Sequence, residues 1–331
     1  MMIRTLSAIV ALAAMLFTGV ALAQTKAELE AQFKDLLDRA RTGDANAEFG
    51  VGVRYQTAQG VERNSEEAAR FLHLAVDKQH PQATNRLAWH YRTGVGVVQS
   101  AQKAEELYLK AYDLGVTGAS VPLAAIYRSG EPGVEQNAAK AFEWAKIGAD
   151  AGIDRGQNLL GELYRDGIGV PQSFTNALEW FEKAVAQELD LAYYNASVIY
   201  RAGVEVPQDM DKGTEYLKKA ADMGHAAAMT DLALAYAQGT GVPQSYQEAV
   251  NWYSKAARQN RGATVQLARA YEQGVFGAPD YVRAYMWYYI ASKRGIPAGN
   301  VGMAAMEPRI AAGDIQKART QGDRWLAGGT S

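Results

Sequence analysis

Two decapeptides, Tyr164–Ser173 (YRDGIGVPQS) and Tyr236–Ser245 (YAQGTGVPQS), agree at seven of ten positions. Their paired glycines make them the first place to look for a phosphate-cradling loop. That chemistry needs G-x-G-x-x-G, or a glycine loop ending in G-K-[ST], leaving a strand. Neither pattern is present, and these glycines follow a helical segment. Ser100–Lys103 (SAQK) has the S-x-x-K spacing of a serine acylase, but no S-D-N or K-T-G accompanies it, and Ser100 reads as a helix cap. The four histidines, His73, His80, His90 and His225, show no metal-ligand spacing on one helix. Carboxylates are plentiful, and no spacing singles out an acid–base pair. Cysteine is absent, which excludes disulfides, thiolate catalysis and cysteine-ligated metals. The expectation is therefore no catalytic residue, no cofactor and no metal site.

Binding chemistry has more to offer. Arg92, Arg128, Arg165 and Arg201 recur at steps of 36, 37 and 36 residues. Stacked units would place them in a ladder suited to bidentate recognition of carboxylates or anionic sugars. Glu106, Glu143, Glu179 and Glu215 recur in the same rhythm and are expected either to neutralise the arginines or to face water.

The elements that position these residues come from the same rhythm. Each arginine follows a member of a tyrosine column, Tyr55, Tyr91, Tyr127, Tyr164, Tyr200, Tyr236 and Tyr271, with steps of 35 to 37 residues. A second column runs Phe71, Leu107, Trp144, Trp180, Tyr216, Trp252 and Trp287, each with a small residue three before and four after. Small, large, small at i, i+3, i+7 makes one helical stripe, expected to be core. Tyr108, Phe181, Tyr253, Tyr285 and Tyr288 fall off that stripe and are expected to reach a surface. The first three join the arginines as candidate partner-binding residues. Glycines three after most of the column tyrosines supply left-handed helix ends. Asn64, Ser100, Asn137, Ser173, Asp209, Ser245 and Asp280 supply N-caps. The decapeptide is thus helix end, turn and helix start. The first unit, Lys26 to Val61, departs from the pattern, with Asp35 where the aromatic belongs, and Gly213 replaces the column alanine.

Charge is near balance, with 34 Lys+Arg against 36 Asp+Glu in 331 residues, which gives no basis for nucleic-acid binding. Arg4 precedes an apolar run, Leu6 to Ala23, that ends in Ala21-Leu22-Ala23. This is the composition of a secretory leader cleaved after Ala23, and no second stretch of comparable length follows. The expected organisation is a leader over 1–23, a repeat array over 24–295 and capping helices over 296–331.

Segments such as SYQEAVNWYSKAARQ and GHAAAMTDLALAYAQGTGVPQS resemble the Sel1-like repeat family, relatives of tetratricopeptide repeats. The segment DYVRAYMWYYIASKRG, with GDIQKARTQGDRWL after it, resembles that family's usual ending. The periodicity predicts an all-α right-handed solenoid of about seven antiparallel helix pairs plus C-terminal capping helices. The resemblance implies a non-enzymatic adaptor that binds a protein partner in the bacterial cell envelope, periplasmic or secreted. The alternative is an envelope polysaccharide or peptidoglycan binder that recognises an anionic glycan.

Overall fold

The computed structural model describes residues 25–328. The leader read over residues 1–23 lies outside them. Apart from one isolated bridge between Glu131 and Val134, the regular elements among the described residues are helical.

The chain divides into two compact units between Gln172 and Ser173. The first holds a helix over residues 25–41 (α1), then α2 (Ala45–Thr57), α3 (Ser65–Asp77), α4 (Pro81–Thr93), α5 (Ala101–Asp113), α6 (Ser120–Ser129), α7 (Ala138–Asp150) and α8 (Asp154–Asp166). The second holds α9 (Phe174–Val185), α10 (Asp190–Ala202), α11 (Met210–Asp222), α12 (Ala226–Gln238), α13 (Tyr246–Gln259), α14 (Arg261–Glu272), α15 (Tyr281–Lys293), α16 (Pro297–Met306) and α17 (Ala312–Leu326). Within each unit a helix packs mainly on its sequence neighbours, the helix-pair architecture of an α-solenoid.

The glycines act as joints. Gly167 ends α8 at a left-handed φ of 68°, its N–H bonded to the Leu163 carbonyl. Gly169 has φ 73°, and a Cβ there would lie 2.1 Å from the Ala138 carbonyl oxygen, so only glycine lets the turn rest on the start of α7. The seven expected caps all accept an N–H from the first turn of their helices, α3, α5, α7, α9, α11, α13 and α15. His80 and His225 cap α4 and α12 in the same way, each Nδ1 accepting from Ala83 or Ala228 at 3.1 and 3.2 Å. A glutamine just before most of these caps donates back across the turn. Gln99, Gln136, Gln172, Gln208 and Gln244 reach the carbonyl oxygens of Arg92, Arg128, Arg165, Arg201 and Ala237 at 2.7–2.9 Å. Each satisfies a carbonyl that the helix end leaves open.

The core corrects one expectation. The end members of the aromatic column, Phe71 and Trp287, are buried as expected, but between them the deeper large residue sits one place later: Tyr108, Phe181, Leu217 and Tyr253 are buried, while Leu107, Trp180, Tyr216 and Trp252 are only half-buried, and Leu72 and Tyr288 are buried beside Phe71 and Trp287. Tyr285 is buried too. Helix geometry alone leaves the two positions equivalent: at about 100° per residue, i and i+7 set the centre of the stripe, and i+3 and i+4 lie about 50° to either side of it, so the packing of the neighbouring helices decides which one goes in. The same shift removes the anomaly in the first unit, where Leu36 packs against the core and Asp35 is exposed. It also puts Tyr108, Phe181 and Tyr253 inside, not on a surface. Gly213 has its own reason, because a Cβ there would lie 2.5 Å from Arg201 Cγ.

Column tyrosines tie the helices of a pair together. Tyr200 donates to Glu182 at 2.6 Å, Tyr127 donates to Glu105, and the Tyr91 hydroxyl meets His73 Nε2 at 3.1 Å. At the C-terminal end α17 packs on α15, and Trp325 meets the buried Trp287 edge-on, ring centroids 5.1 Å apart.

Candidate functional site

In the first unit, α2, α4, α6 and the start of α8 line a groove of about 740 Å³. The residues facing it recur at fixed offsets from the column tyrosines. Gln82, Gly118 and Arg155 stand nine before, Phe49, Asn85 and Val121 six before, Trp89 and Ala125 two before, and Gln56 and Arg92 one after. Successive turns of each helix therefore present one face. Arg86, Pro122 and Ile153 complete the walls, and the buried Tyr108 lies at the floor.

Two of the expected partner-binding residues, Arg92 and Tyr108, come together here. Arg92 pairs with Glu131, Nε to Oε1 at 2.9 Å. Burial pushes the Tyr108 hydroxyl up to about 12, with Arg92 opposing and Glu131 adding to the rise. The other arginines lie outside the groove. Arg128 bridges to Glu162 and, at 3.2 Å, to Asp166. Arg165 also bonds Asp166, at 2.8 Å. The Arg165 hydrogen bond, with help from Arg128, holds Asp166 below the usual carboxylate range against the cost of burial. In the second unit Arg201 has its Nε enclosed without a hydrogen-bond partner among the described residues. The expected partners Glu106, Glu143, Glu179 and Glu215 are all exposed, and no ion pair among the described residues joins them to the arginines. The ladder is neutralised in part, by Glu131, Glu162 and Asp166 instead.

The groove's chemistry is that of recognition. Its lining offers arginines, amides, an exposed indole (Trp89, 39% exposed) and apolar walls. It includes no carboxylate, histidine, serine or lysine to serve as base or nucleophile. Sequence reasoning missed Arg86, Trp89, Asn85 and Arg155. The available signal was the shared offset from the tyrosines. It is weak because the residue types change from repeat to repeat. The second unit carries a smaller groove of about 400 Å³, where the exposed Tyr246 stands among Gln247, Arg283, Gln321 and Arg324 above Tyr271 and Trp287.

Comparison with known proteins agrees with this architecture. A structure titled Sel1 repeat protein from Oxalobacter formigenes superposes with a TM-score of 0.65 at 23% identity, covering 72% of this chain and 95% of that one. Chitin synthase regulatory factor 2 of Schizosaccharomyces pombe is 33% identical over 129 residues, 38% of this chain and 25% of that protein. Chitin synthase regulatory factor 3 of the same yeast is 32% identical over 89 residues, 27% of this chain and 10% of that protein. The chain thus spans a quarter or less of the length of these curated relatives. The Sel1 repeat model matches residues 45–80, 81–116, 123–153, 154–189, 190–225, 226–260 and 262–296. With seven repeats matched over most of its length, the chain belongs to the Sel1 repeat family.

Proposed function

We propose that this protein is a non-enzymatic adaptor that docks a protein partner on the inner face of its helix pairs, and that it works in the cell envelope. The observation that carries the docking role is the 740 Å³ groove, lined by four helices and equipped for recognition but with no paired nucleophile and base. Repeat scaffolds of this kind present such faces to other chains. The envelope assignment draws on the sequence alone, on the basic start, apolar run and Ala-Leu-Ala end of residues 1–23. The relatives' names, as regulatory factors of chitin synthase, are consistent with an adaptor that acts on another protein. Crosslinking in intact cells, followed by fractionation and N-terminal sequencing, tests both parts. The expected result is a chain beginning at Gln24 outside the cytoplasm with a protein crosslinked to it. An intact Met1 form in the cytoplasm defeats the location, and the absence of any crosslinked protein defeats the adaptor role.

A second reading, an envelope polysaccharide binder, draws on the groove around Tyr246. An exposed ring there stands beside two arginines and two glutamines, a set able to stack on a sugar and bond an anionic substituent. Cosedimentation with purified cell wall and its loss in Tyr246→Ala distinguish it from protein docking.

A further inference from the structure

We propose that the groove of the first unit takes an extended, acidic segment of a partner chain, about nine residues long. This rests on the adaptor reading and adds the chemistry of the occupant.

Charge is the first reason. Three arginines, Arg86, Arg92 and Arg155, line the groove without any Asp or Glu in the lining. Arg92 is neutralised by Glu131. Arg86 bonds only the neutral Gln56, and neither it nor Arg155 has an ion pair among the described residues. Two uncompensated guanidinium groups in one concave surface attract carboxylates and focus them there. The whole chain's net charge of −2 argues against nucleic acid as the occupant.

Backbone recognition is the second. Asn85 lines the groove, and its Oδ1 makes no hydrogen bond among the described residues, so no intramolecular partner fixes the amide. A side-chain amide offers an acceptor and donors to the N–H and C=O of a peptide unit. A helical ligand has already used those groups internally, which favours an extended chain.

Length and anchoring follow. Most lining residues come from the even-numbered helices α2, α4, α6 and α8 or the turns that lead into them, with Tyr108 of α5 at the floor. At about 10 Å between packed helices the path is about 30 Å, or about nine residues of extended chain. Trp89 stands midway between Arg86 and Arg92 on α4, with its ring exposed to hold one apolar side chain between flanking carboxylates.

The test is a random nonapeptide display library panned against the whole purified chain. The enriched peptides are then synthesised with a fluorophore and titrated by anisotropy at low and high salt. The expected peptides carry several Asp or Glu around one apolar residue. Their affinity should fall at least about tenfold in Arg86→Gln/Arg155→Gln and fall again with salt. Trp89→Ala and Asn85→Ala should each weaken binding, with circular dichroism and melting unchanged, while Lys110→Gln has no effect. Enriched peptides without acidic bias, acidic peptides indifferent to the double variant, or no enrichment at all would each overturn the proposal. In those cases a protein crosslinked in cells at another face keeps the adaptor reading, whereas no crosslinked protein anywhere ends both.

Discussion

Lys183 Nζ lies 3.5 Å from the centroid of the Trp180 ring, covering a half-buried indole, while the next residue, Phe181, is completely enclosed. The two aromatics are neighbours in sequence and opposites in energy. Phe181→Ala should cost about 3–5 kcal/mol, the range for emptying a large core position. Trp180→Ala should cost no more than about half of that, because it gives up only partial burial and a cation–π contact. Denaturant melts of the two variants check this. The loss in Phe181→Ala should appear as local opening around α9 to α11 in hydrogen exchange, since stability in repeat arrays is largely a nearest-neighbour sum.

That pair also shows what was legible in the chain. The period, the caps and the glycine joints could all be read, because each rests on a local rule that repeats at one offset. The aromatic column holds at its ends, Phe71 and Trp287, and is displaced by one residue at Leu107, Trp180, Tyr216 and Trp252. Tryptophan is the most conspicuous letter in the repeat, but small residues at i and i+7 leave i+3 and i+4 each about 50° from the stripe's centre, so the pattern alone does not choose between them. The glutamine column from Gln99 to Gln244 was equally visible and lacked an assigned role, since its partner is a backbone carbonyl with no sequence signal. The arginines' partners could not be read at all. Glu131 sits in an irregular loop, Glu162 two before a column tyrosine and Asp166 two after one, so they form no column. The groove draws on residues from Phe49 to Arg155 and exists only once four helices are side by side.

The two glycine joints of Gly167-Ile168-Gly169 differ from a simple helix stop. Gly115 has φ 92° and open space around its missing Cβ, whereas Gly169 faces the Ala138 carbonyl. Gly115→Ala should cost about 1–2 kcal/mol, the backbone penalty alone. Gly169→Ala should exceed about 3 kcal/mol because the turn must lift off α7. Thermal unfolding of both variants measures the difference.

Arg128 links α6 to α8 through Glu162 and Asp166, and Glu162 also accepts from Asn158 Nδ2 at 2.9 Å. The pair with Glu162 is partly buried, so Arg128→Gln should cost about 1–2 kcal/mol, between the exposed and the buried cases. Glu162→Gln in the same chain should recover part of that loss, because it removes the stranded carboxylate. A double-mutant cycle reads the coupling directly.

Burial lowers the pKa of His73, His90 and His225, in each case as the largest cause. A base with a lowered folded-state value contributes stability that is fully present above its unfolded value, about 6.5, and is lost as pH falls from there toward the folded value. Denaturation midpoints should therefore decline between about pH 7 and pH 5, before the carboxylates titrate. His90 is enclosed, with Nδ1 facing the Val95 carbonyl and Nε2 unpartnered, so a second proton would strand an N–H. His90→Gln should flatten the decline.

Docking on the inner face of the first unit is tested most directly by placing a photoreactive phenylalanine analogue at Ala125, in the groove, or at Lys110, exposed on α5, and irradiating intact cells. The expected result is a discrete protein adduct from position 125, absent from position 110 and lost when Arg86 and Arg155 are changed to glutamine. No adduct at 125, or the same adducts from both positions, would contradict docking in the groove.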